Sequence, residues 1–289
     1  MRSYRCFSNE PMEFAIISDA ENQYTGEFDH VVILENARHS CMDKLSLLKL
    51  CPFDENVFID ADCLAYGDLN EYWDYFENAD DFTCFGKTYP LDETQKTGWF
   101  KPGDVAEYND LIHFIPILHT GVCFIRKGGQ NHELYDLCTR IAQNYGNYKF
   151  ATFQHQTADE PVIALAMSVL NMRIVPSARR PYIFVPHAKK MKVDMLSGRA
   201  VYSSIWDESF ADALLVHWTV RNIGSPKYRF ESDKIKLLEK GRSDKLSLPD
   251  FVLYRMGLKL LLYWPSRALY WIRRAPSIIK RVLLSRRGS

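Results

Sequence analysis

Two aspartates with one residue between them, Asp60 and Asp62, end a short apolar run that starts at Asn56. Such a run predicts a buried strand, and residues two apart in a strand share a face. Neighbouring carboxylates repel each other unless a cation lies between them, and a divalent metal ion is a common solution. The alternative is that both aspartates only form a turn and cap the next helix, as Asp often does.

The composition predicts a folded protein with reduced thiols. The 289 residues are 47% hydrophobic and 25% charged, which suits one large domain with appendages or two modest domains. The seven cysteines are odd in number, scattered, and include no Cys-x-x-Cys pair, so we expect a cytosolic compartment and neither a disulfide framework nor a zinc site. The N-terminus has no long apolar core, and we expect no signal peptide.

The net charge of zero conceals an acidic body and a basic tail. Residues 242–289 carry 11 Lys and Arg against two acids, whereas residues 1–241 carry 25 basic and 34 acidic residues. In the tail, basic residues alternate with apolar and aromatic blocks, each shorter than the ~18 residues of a spanning helix. This pattern favours basic amphipathic helices on an anionic membrane surface. A helix pair packed on the body and a nucleic-acid-binding arm are the alternatives, but nothing in the body is suited to nucleic acid.

The elements that must position these residues alternate between strands and helices. This order predicts an α/β fold with a mostly parallel central sheet. The predicted strands begin near residues 12, 30, 56, 81, 119, 172, 182 and 214. The predicted helices cover 41–50, 69–76, 131–145 and 158–170.

Four motifs occur in order along the chain. The first combines Asp43-Lys44-Leu45 with Asp60-Ala61-Asp62, and the second is His119-Thr120-Gly121-Val122. The third is Asp159-Glu160-Pro161, and the fourth is His217 with Gly224 and Lys227. Together they resemble the family 8 glycosyltransferases of the GT-A fold, the group that includes glycogenin and bacterial lipooligosaccharide galactosyltransferases. The resemblance covers roughly residues 30–230. It implies a GT-A-like, Rossmann-type single catalytic domain over residues 1–241, followed by the tail at 242–289.

The chain departs from the family pattern at four points, one of which is a longer gap between His217 and Gly224 that weakens the placing of Lys227. The family's first strand, which helps to hold the nucleotide base, has no counterpart before Met12. His119 stands where the family has Asn, and Glu160 stands where it has Gln.

The resemblance implies a metal–diphosphate site. Asp60, Asp62 and His217 would be the metal ligands, and an imidazole ligand favours Mn²⁺ over Mg²⁺. Lys44 and Lys227 would contact the diphosphate of the sugar nucleotide. Taken singly, a lysine is more often a solvated surface residue, and a histidine that ends an apolar strand is more often structural.

The resemblance also implies residues around the reacting sugar. His119 would lie near the donor sugar, and Asp159 and Glu160 would be catalytic, lying near the reacting carbon or binding sugar hydroxyls. Retention of anomeric configuration is expected. The alternative for both acids is favourable charge placement at a helix N-terminus.

These expectations combine into one functional hypothesis. The chain would be a metal-dependent glycosyltransferase that moves a hexose from a nucleotide sugar, expected to be a uridine diphosphate sugar, to a cell-envelope or lipid-linked glycan. It would be a cytoplasmic, peripheral protein at the inner face of the membrane. The alternatives are an inactive GT-A-like protein that binds glycan or acts as a scaffold, and a nucleotidyltransferase of similar fold.

Overall fold

The computed structural model describes residues 1–10, 12–92, 98–150, 157–176, 181–204, 211–241 and 247–258. Unit 1 comprises the described residues within 1–9, 61–69 and 179–289, and unit 2 comprises those within 10–60 and 70–178. The two units therefore alternate along the chain. The division into residues 1–241 and 242–289 stays a prediction.

The described strands, in chain order, are β1 (Ala15–Ser18), β2 (His30–Ile33), β3 (Glu55–Ile59), β4 (Cys63–Ala65), β5 (Phe82–Tyr89), β6 (Ile115–Arg126), β7 (Val175–Pro176), β8 (Tyr182–Phe184), β9 (Ala188–Asp194), β10 (Arg199–Ser204), β11 (Ala211–Asp212) and β12 (Leu215–His217). The α-helices are α1 (Arg2–Arg5), α2 (Leu47–Leu50), α3 (Glu71–Phe76), α4 (Asn131–Gln143), α5 (Asp159–Val169), α6 (Pro226–Leu238) and α7 (Leu248–Asp250). Shorter helical turns include a 3₁₀ segment at Cys41–Ser46 and a π-helical turn at Phe251–Arg255.

Unit 2 contains a four-stranded sheet in the order β3-β6-β5-β7, together with a separate parallel pair of β1 and β2. Helix α5 contacts both β6 and α4. It starts with two acids and a proline, a combination that suits a helix N-terminus, and the apolar run that follows is almost entirely buried. The core under these helices includes Leu118, Leu134 and Leu165.

Strand β6 carries a bulge. Cys84 of β5 pairs with Cys123, but the next residue, Phe85, pairs with His119. Three residues of β6, Thr120 to Val122, therefore lie between two consecutive residues of β5. The backbone amide of Asp60, just after β3, donates to the Gly121 carbonyl at 3.0 Å. Bulges of this kind turn side chains away from the regular alternation and are common beside functional sites.

Unit 1 contains two three-stranded sheets, β4-β12-β8 and β11-β10-β9. Strand β12 runs antiparallel to β4 and parallel to β8. Helix α6 begins at Pro226, where the Ser225 hydroxyl accepts a hydrogen bond from the Tyr228 amide. The core of this unit includes Leu64, Ile183 and Val216.

An ion network within unit 1, termed here the α6 network, is centred on Lys234. The Lys234 ammonium donates to Glu231 Oε1 at 2.8 Å and to Asp194 Oδ1 at 2.9 Å. The second oxygen of Glu231 accepts from the Met195 amide at 2.7 Å. Lys234 also lies over the Phe230 ring, 4.5 Å from its centroid. Each charge in this buried group therefore has a partner.

The α/β class is confirmed, but the predicted mostly parallel sheet is wrong for the described strands. Only the pairs β1–β2, β5–β7 and β8–β12 are parallel, and β6 is antiparallel to both of its neighbours. The prediction failed because an apolar run shows that a strand is buried and carries no information about the direction of its neighbours.

The predicted amphipathic helices of the tail lie largely outside the described residues. Of residues 242–289, only 247–258 are described, and they include α7 and the π-helical turn. Among the residues that the structure describes, none belongs to a helix long and apolar enough to cross a bilayer.

Candidate active site

Lys44 is held in the 3₁₀ segment Cys41–Ser46, just before α2. The Asp43 carboxylate accepts hydrogen bonds from the backbone amides of Arg38 at 3.0 Å and Ser40 at 3.2 Å. These bonds fix the start of the segment, because they satisfy amides that have no partner inside the helical turn. The direction of the Lys44 side chain follows from this turn.

The Lys44 ammonium lies between two carboxylates of unit 2. It is 3.0 Å from Asp60 Oδ1 and 3.6 Å from Asp159 Oδ2. It also donates to the Thr120 hydroxyl at 3.1 Å and to the Thr120 carbonyl at 3.2 Å. We call Lys44, Asp60, Thr120 and Asp159 the lysine–carboxylate cluster. It joins the end of β3, the bulge of β6 and the start of α5.

The bulge of β6 also holds the first two residues of α5. The Thr120 hydroxyl donates to Asp159 Oδ2 at 2.6 Å, and the Thr120 amide donates to Glu160 Oε1 at 3.4 Å. The ring nitrogen Nδ1 of His119 lies 3.3 Å from the same Glu160 oxygen. Both predicted catalytic acids are therefore oriented by neighbouring residues of one strand.

Burial and charge act in opposite directions on Lys44. Burial lowers its pKa, but the carboxylates of Asp159 and Asp60 outweigh this effect and raise the pKa above the ordinary value for lysine. Lys44 therefore stays protonated at neutral pH. The Asp159 side chain is only 7% exposed, whereas that of Glu160 is 19% exposed and that of His119 is 27% exposed. Glu160 and His119 are thus more accessible to a ligand than Asp159.

A second group of side chains, within unit 1, contains Asp62 and His217. His217 Nε2 lies 3.0 Å from Asp62 Oδ1, and the two side chains are 12% and 15% exposed, respectively. The Trp218 amide donates to the Asp62 carbonyl at 3.1 Å, and the Phe184 ring packs edge-on against the His217 ring. A carboxylate oxygen of Asp62, the thiol of Cys63 and a ring nitrogen of His217 lie within 4.8 Å of one another. We call these three residues the aspartate–histidine cluster.

Lys227, on α6, donates to the backbone carbonyl of Met191 at 3.0 Å. Burial lowers its pKa, while the negative charge of Glu231 acts against that shift. The structure thus places the Lys227 ammonium against strand β9. Its predicted contact with a diphosphate stays a prediction.

Comparison with known proteins gives one kind of match. No protein-family model matches the chain, and no curated protein matches its sequence. The crystal structure of galactosyltransferase LgtC in complex with donor and acceptor sugar analogs matches with a TM-score of 0.47 and 12% identity, over 86% of this chain and 94% of that chain. A structure of an active-site mutant of LgtC matches with a TM-score of 0.45 and 12% identity, over 83% of this chain and 92% of that chain.

The structure brings the predicted residues other than Lys227 into two groups and adds two residues that the sequence did not indicate. Thr120 contacts both Lys44 and Asp159. The sequence does contain an indication of Thr120, because it is a hydroxyl residue between His119 and Gly121 in a largely apolar strand. Cys63 joins Asp62 and His217. No spacing rule indicates it, because its closeness to His217 comes from strand pairing.

Proposed function

We propose that the protein is a metal-dependent glycosyltransferase that moves a hexose from a nucleotide sugar to a glycan acceptor with retention of anomeric configuration. The observation that carries this proposal is the lysine–carboxylate cluster, in which Lys44 and Thr120 fix Asp159 beside the more accessible Glu160. An oriented carboxylate pair at a helix start, held by a neighbouring cation, suits the handling of a sugar that develops positive charge.

The proposed metal ligands are Asp62, His217 and Asp60. The donor atoms fit a divalent ion, because a carboxylate oxygen and an imidazole nitrogen of the first two already lie 3.0 Å apart. Asp60, two residues earlier in the chain, is assigned from the sequence. When bound, Mn²⁺ or Mg²⁺ would neutralise the negative charge that develops on a diphosphate leaving group.

We assign different roles to the two acids of α5. Asp159 is nearly buried and bonded to Thr120 and Lys44, so it suits a positioning role that holds the Lys44 cation in place. Glu160 is more exposed, and its Oε1 atom contacts both His119 and the Thr120 amide. It therefore suits direct contact with the hydroxyls or the reacting carbon of the sugar. Uridine diphosphate hexose is the proposed donor.

We also propose that the tail places the enzyme at the cytoplasmic face of an anionic membrane, where a lipid-linked or cell-envelope glycan would be the acceptor. Residues 242–289 carry a net charge of +9. Where the tail is described, Leu248, Phe251 and Met256 are exposed, at 76%, 48% and 66%, whereas Val252, Leu253 and Tyr254 are half-buried. Basic charge combined with exposed apolar side chains supports binding to an anionic surface.

The test of the enzymatic proposal is donor turnover in matched variants. We expect Asp62→Ala to lower hydrolysis and transfer from uridine diphosphate hexose by at least about 10³-fold, because it removes a metal ligand. Asp212→Ala, which changes an exposed aspartate of the same unit, should keep normal activity. Calorimetry with uridine diphosphate should show binding that requires Mn²⁺. Full activity in Asp62→Ala would contradict the metal assignment.

The same assays separate the alternatives. A nucleotidyltransferase would release pyrophosphate from a nucleoside triphosphate in the presence of a sugar phosphate. A glycan-binding scaffold would bind oligosaccharide while showing no affinity for uridine diphosphate, with or without Mn²⁺.

The membrane proposal is tested in the full-length chain by reversing charges in the tail. Changing Arg273, Arg274, Arg286 and Arg287 to Glu should weaken sedimentation with anionic vesicles at least about 100-fold, since each basic residue near such a surface contributes about 1 kcal/mol. Donor hydrolysis in solution should stay unchanged. Undiminished vesicle binding would show that the basic residues do not hold the protein at a membrane.

A further inference from the structure

The aspartate–histidine cluster contains a thiol at a position fixed by the backbone. Cys63 of β4 pairs directly with His217 of β12 in the antiparallel register. Side chains of directly paired residues lie on the same face of a sheet, so the Cys63 thiol and the His217 ring are neighbours by strand pairing. All seven cysteines are thiols and none forms a disulfide.

We propose that Cys63 is a metal ligand and that Asp62, Cys63 and His217 form a site for a thiol-binding divalent ion, represented by Zn²⁺, which competes with Mn²⁺. The inference shares Asp62 and His217 with the proposed function and deepens it by adding a ligand and an ion preference. A thiolate, an imidazole and a carboxylate are the three donor types that zinc takes in proteins. Magnesium and manganese prefer oxygen donors, whereas a thiolate selects a softer ion.

The distances within the cluster allow a shared ion. Zinc bonds of about 2.0–2.3 Å in a tetrahedral arrangement place ligand atoms roughly 3.3–3.6 Å apart. The three donor atoms lie within 4.8 Å of one another, and the Asp62–His217 pair is at 3.0 Å. Adjustments of about 1 Å therefore bring all three donors onto one ion. Three protein ligands leave a fourth position open, as in zinc sites that also bind a water or a substrate.

The surroundings of the cluster suit a zinc site. Phe184, paired with His217 on the other side of β12, covers the imidazole edge-on at a centroid distance of 5.3 Å. The Trp218 amide fixes the Asp62 backbone. Because two strand pairings and this hydrogen bond hold the ligands, little ordering is needed when an ion binds.

Competition between the ions has a direct consequence for activity. An ion held by the Cys63 thiolate would occupy Asp62 and His217, the ligands that Mn²⁺ needs in the proposed reaction. We therefore expect micromolar Zn²⁺ to inhibit Mn²⁺-supported transfer in the unmodified chain. The inhibition should be much weaker when Cys63 is replaced by serine, since the hydroxyl of serine is a poor zinc ligand.

The test uses Co²⁺ as a spectroscopic substitute for Zn²⁺, with the full-length protein and no sugar nucleotide. The unmodified chain should show a thiolate-to-cobalt absorption band, and Cys63→Ser should lose it. Cys6→Ser is the matched control, because Cys6 is also a half-buried thiol of unit 1, and it should keep the band. In competition with a chromophoric chelator, Cys63→Ser should bind Zn²⁺ at least about 100-fold more weakly, and Mn²⁺ within about 3-fold of the unmodified chain.

A second variant guards against a folding defect in the first. Asp62→Asn should also weaken Zn²⁺ binding while keeping the thiolate band at high Co²⁺. A thiolate band that persists in Cys63→Ser, or equal Zn²⁺ affinity in both proteins, would overturn the inference. If the protein shows Mn²⁺-supported transfer but no thiolate-to-cobalt band, the proposed function stands and this inference is wrong. If it shows the band but no transfer activity, the metal site stands and the proposed function is wrong.

Discussion

Two lysines, one in each unit, lie between two carboxylates, and their settings differ. Lys234 belongs to the interior of α6, and one of its partners, Glu231, is three residues earlier on the same helix. Lys44 lies in a short 3₁₀ segment, and its partners Asp60 and Asp159 stand at the end of a strand and the start of a helix. The side chain of Lys234 is 5% exposed and that of Lys44 is 17% exposed.

The difference separates a group inside the fold from one that the proposed function places beside the reacting sugar. In the α6 network, the Met195 amide donates to Glu231 Oε2 and the Ser197 hydroxyl donates to Asp194 Oδ2, the two carboxylate oxygens that Lys234 is not bonded to. In the lysine–carboxylate cluster, the neighbouring Glu160 and His119 are accessible, and the backbone beside them is bulged. Lysine–carboxylate groups can therefore have different roles, depending on whether they lie inside a helix or where strands and helices begin and end.

Of the changes that test this comparison of the two lysines, we expect the largest effect from a change in the lysine–carboxylate cluster of unit 2. Lys44→Met should lower the turnover number for transfer by about 10²- to 10³-fold, because it removes a fixed positive charge beside the proposed catalytic acids. Steady-state kinetics at saturating donor measure this. Lys44→Arg, which keeps the charge, should retain more activity than Lys44→Met. If the activity of Lys44→Met stays within about 3-fold of that of the unmodified chain, this cluster only stabilises the fold, as the α6 network does.

The corresponding change in unit 1 should act on stability. Lys234→Met leaves the buried Glu231 carboxylate without its cation, so the free energy of unfolding should fall by about 3–5 kcal/mol. Denaturant titration measures the loss, and activity per folded molecule should not change. Lys236→Met is the control, because this lysine of the same helix is exposed, and it should cost less than about 1 kcal/mol.

A pH series sharpens the same contrast. Burial raises the pKa of Glu231 above its ordinary value of 4.5, although Lys234 and the Met195 amide act against that shift. The folded state thus binds the proton more tightly than the unfolded state does, so this group's contribution to stability falls as pH rises from about 4.5 through the raised folded pKa.

Glu231→Gln should remove that part of the pH dependence of unfolding. The same slope should become steeper in Lys234→Met, where the opposing cation is gone. Equal pH dependence in the unmodified chain and Glu231→Gln would contradict the raised pKa.

We expect the smallest effect on stability from an arginine–glutamate ion pair at the surface of unit 1. Arg2 Nε donates to Glu239 Oε1 at 2.7 Å, with both side chains exposed to solvent. Arg2→Ala should cost less than about 1 kcal/mol, and added salt should reduce the difference. Arg2 lowers the pKa of Glu239, so the contribution of the pair is present above pH 4.5 and is lost as pH falls through the lowered folded pKa. A salt-independent loss would point to packing and not to charge.

Much of the local structure could be predicted from the sequence. The helix that opens with Asp159-Glu160-Pro161 and the strand that ends at His217 are where the pattern places them. Both contain runs whose apolar period and end signals are local properties of the chain. A local pattern also indicated Asp60 and Asp62 as candidate metal ligands, whereas Lys44 was indicated only by the family resemblance.

The rest depends on pairing between distant segments. The closeness of Cys63 to His217 follows from the register of β4 and β12, whose residues are more than 140 positions apart in the chain. The contacts of Thr120 depend on the bulge of β6, which arises where the registers with β5 change. Neither register can be predicted from the local sequence. The alternation of side chains along a strand determines which face a residue lies on, but not which residue of the neighbouring strand it pairs with.

The alternation of the two units along the chain affects the order in which a growing chain can fold. Every segment of unit 2 has been synthesised once residue 178 is made, whereas unit 1 still lacks its last and largest segment. The ion pair between Arg2 of α1 and Glu239, just after α6, can form only once that segment is present. Asp62 likewise waits for β12 before it meets His217. During synthesis, the segments 1–9 and 61–69 therefore lack the rest of unit 1 until the C-terminal third of the chain has been made.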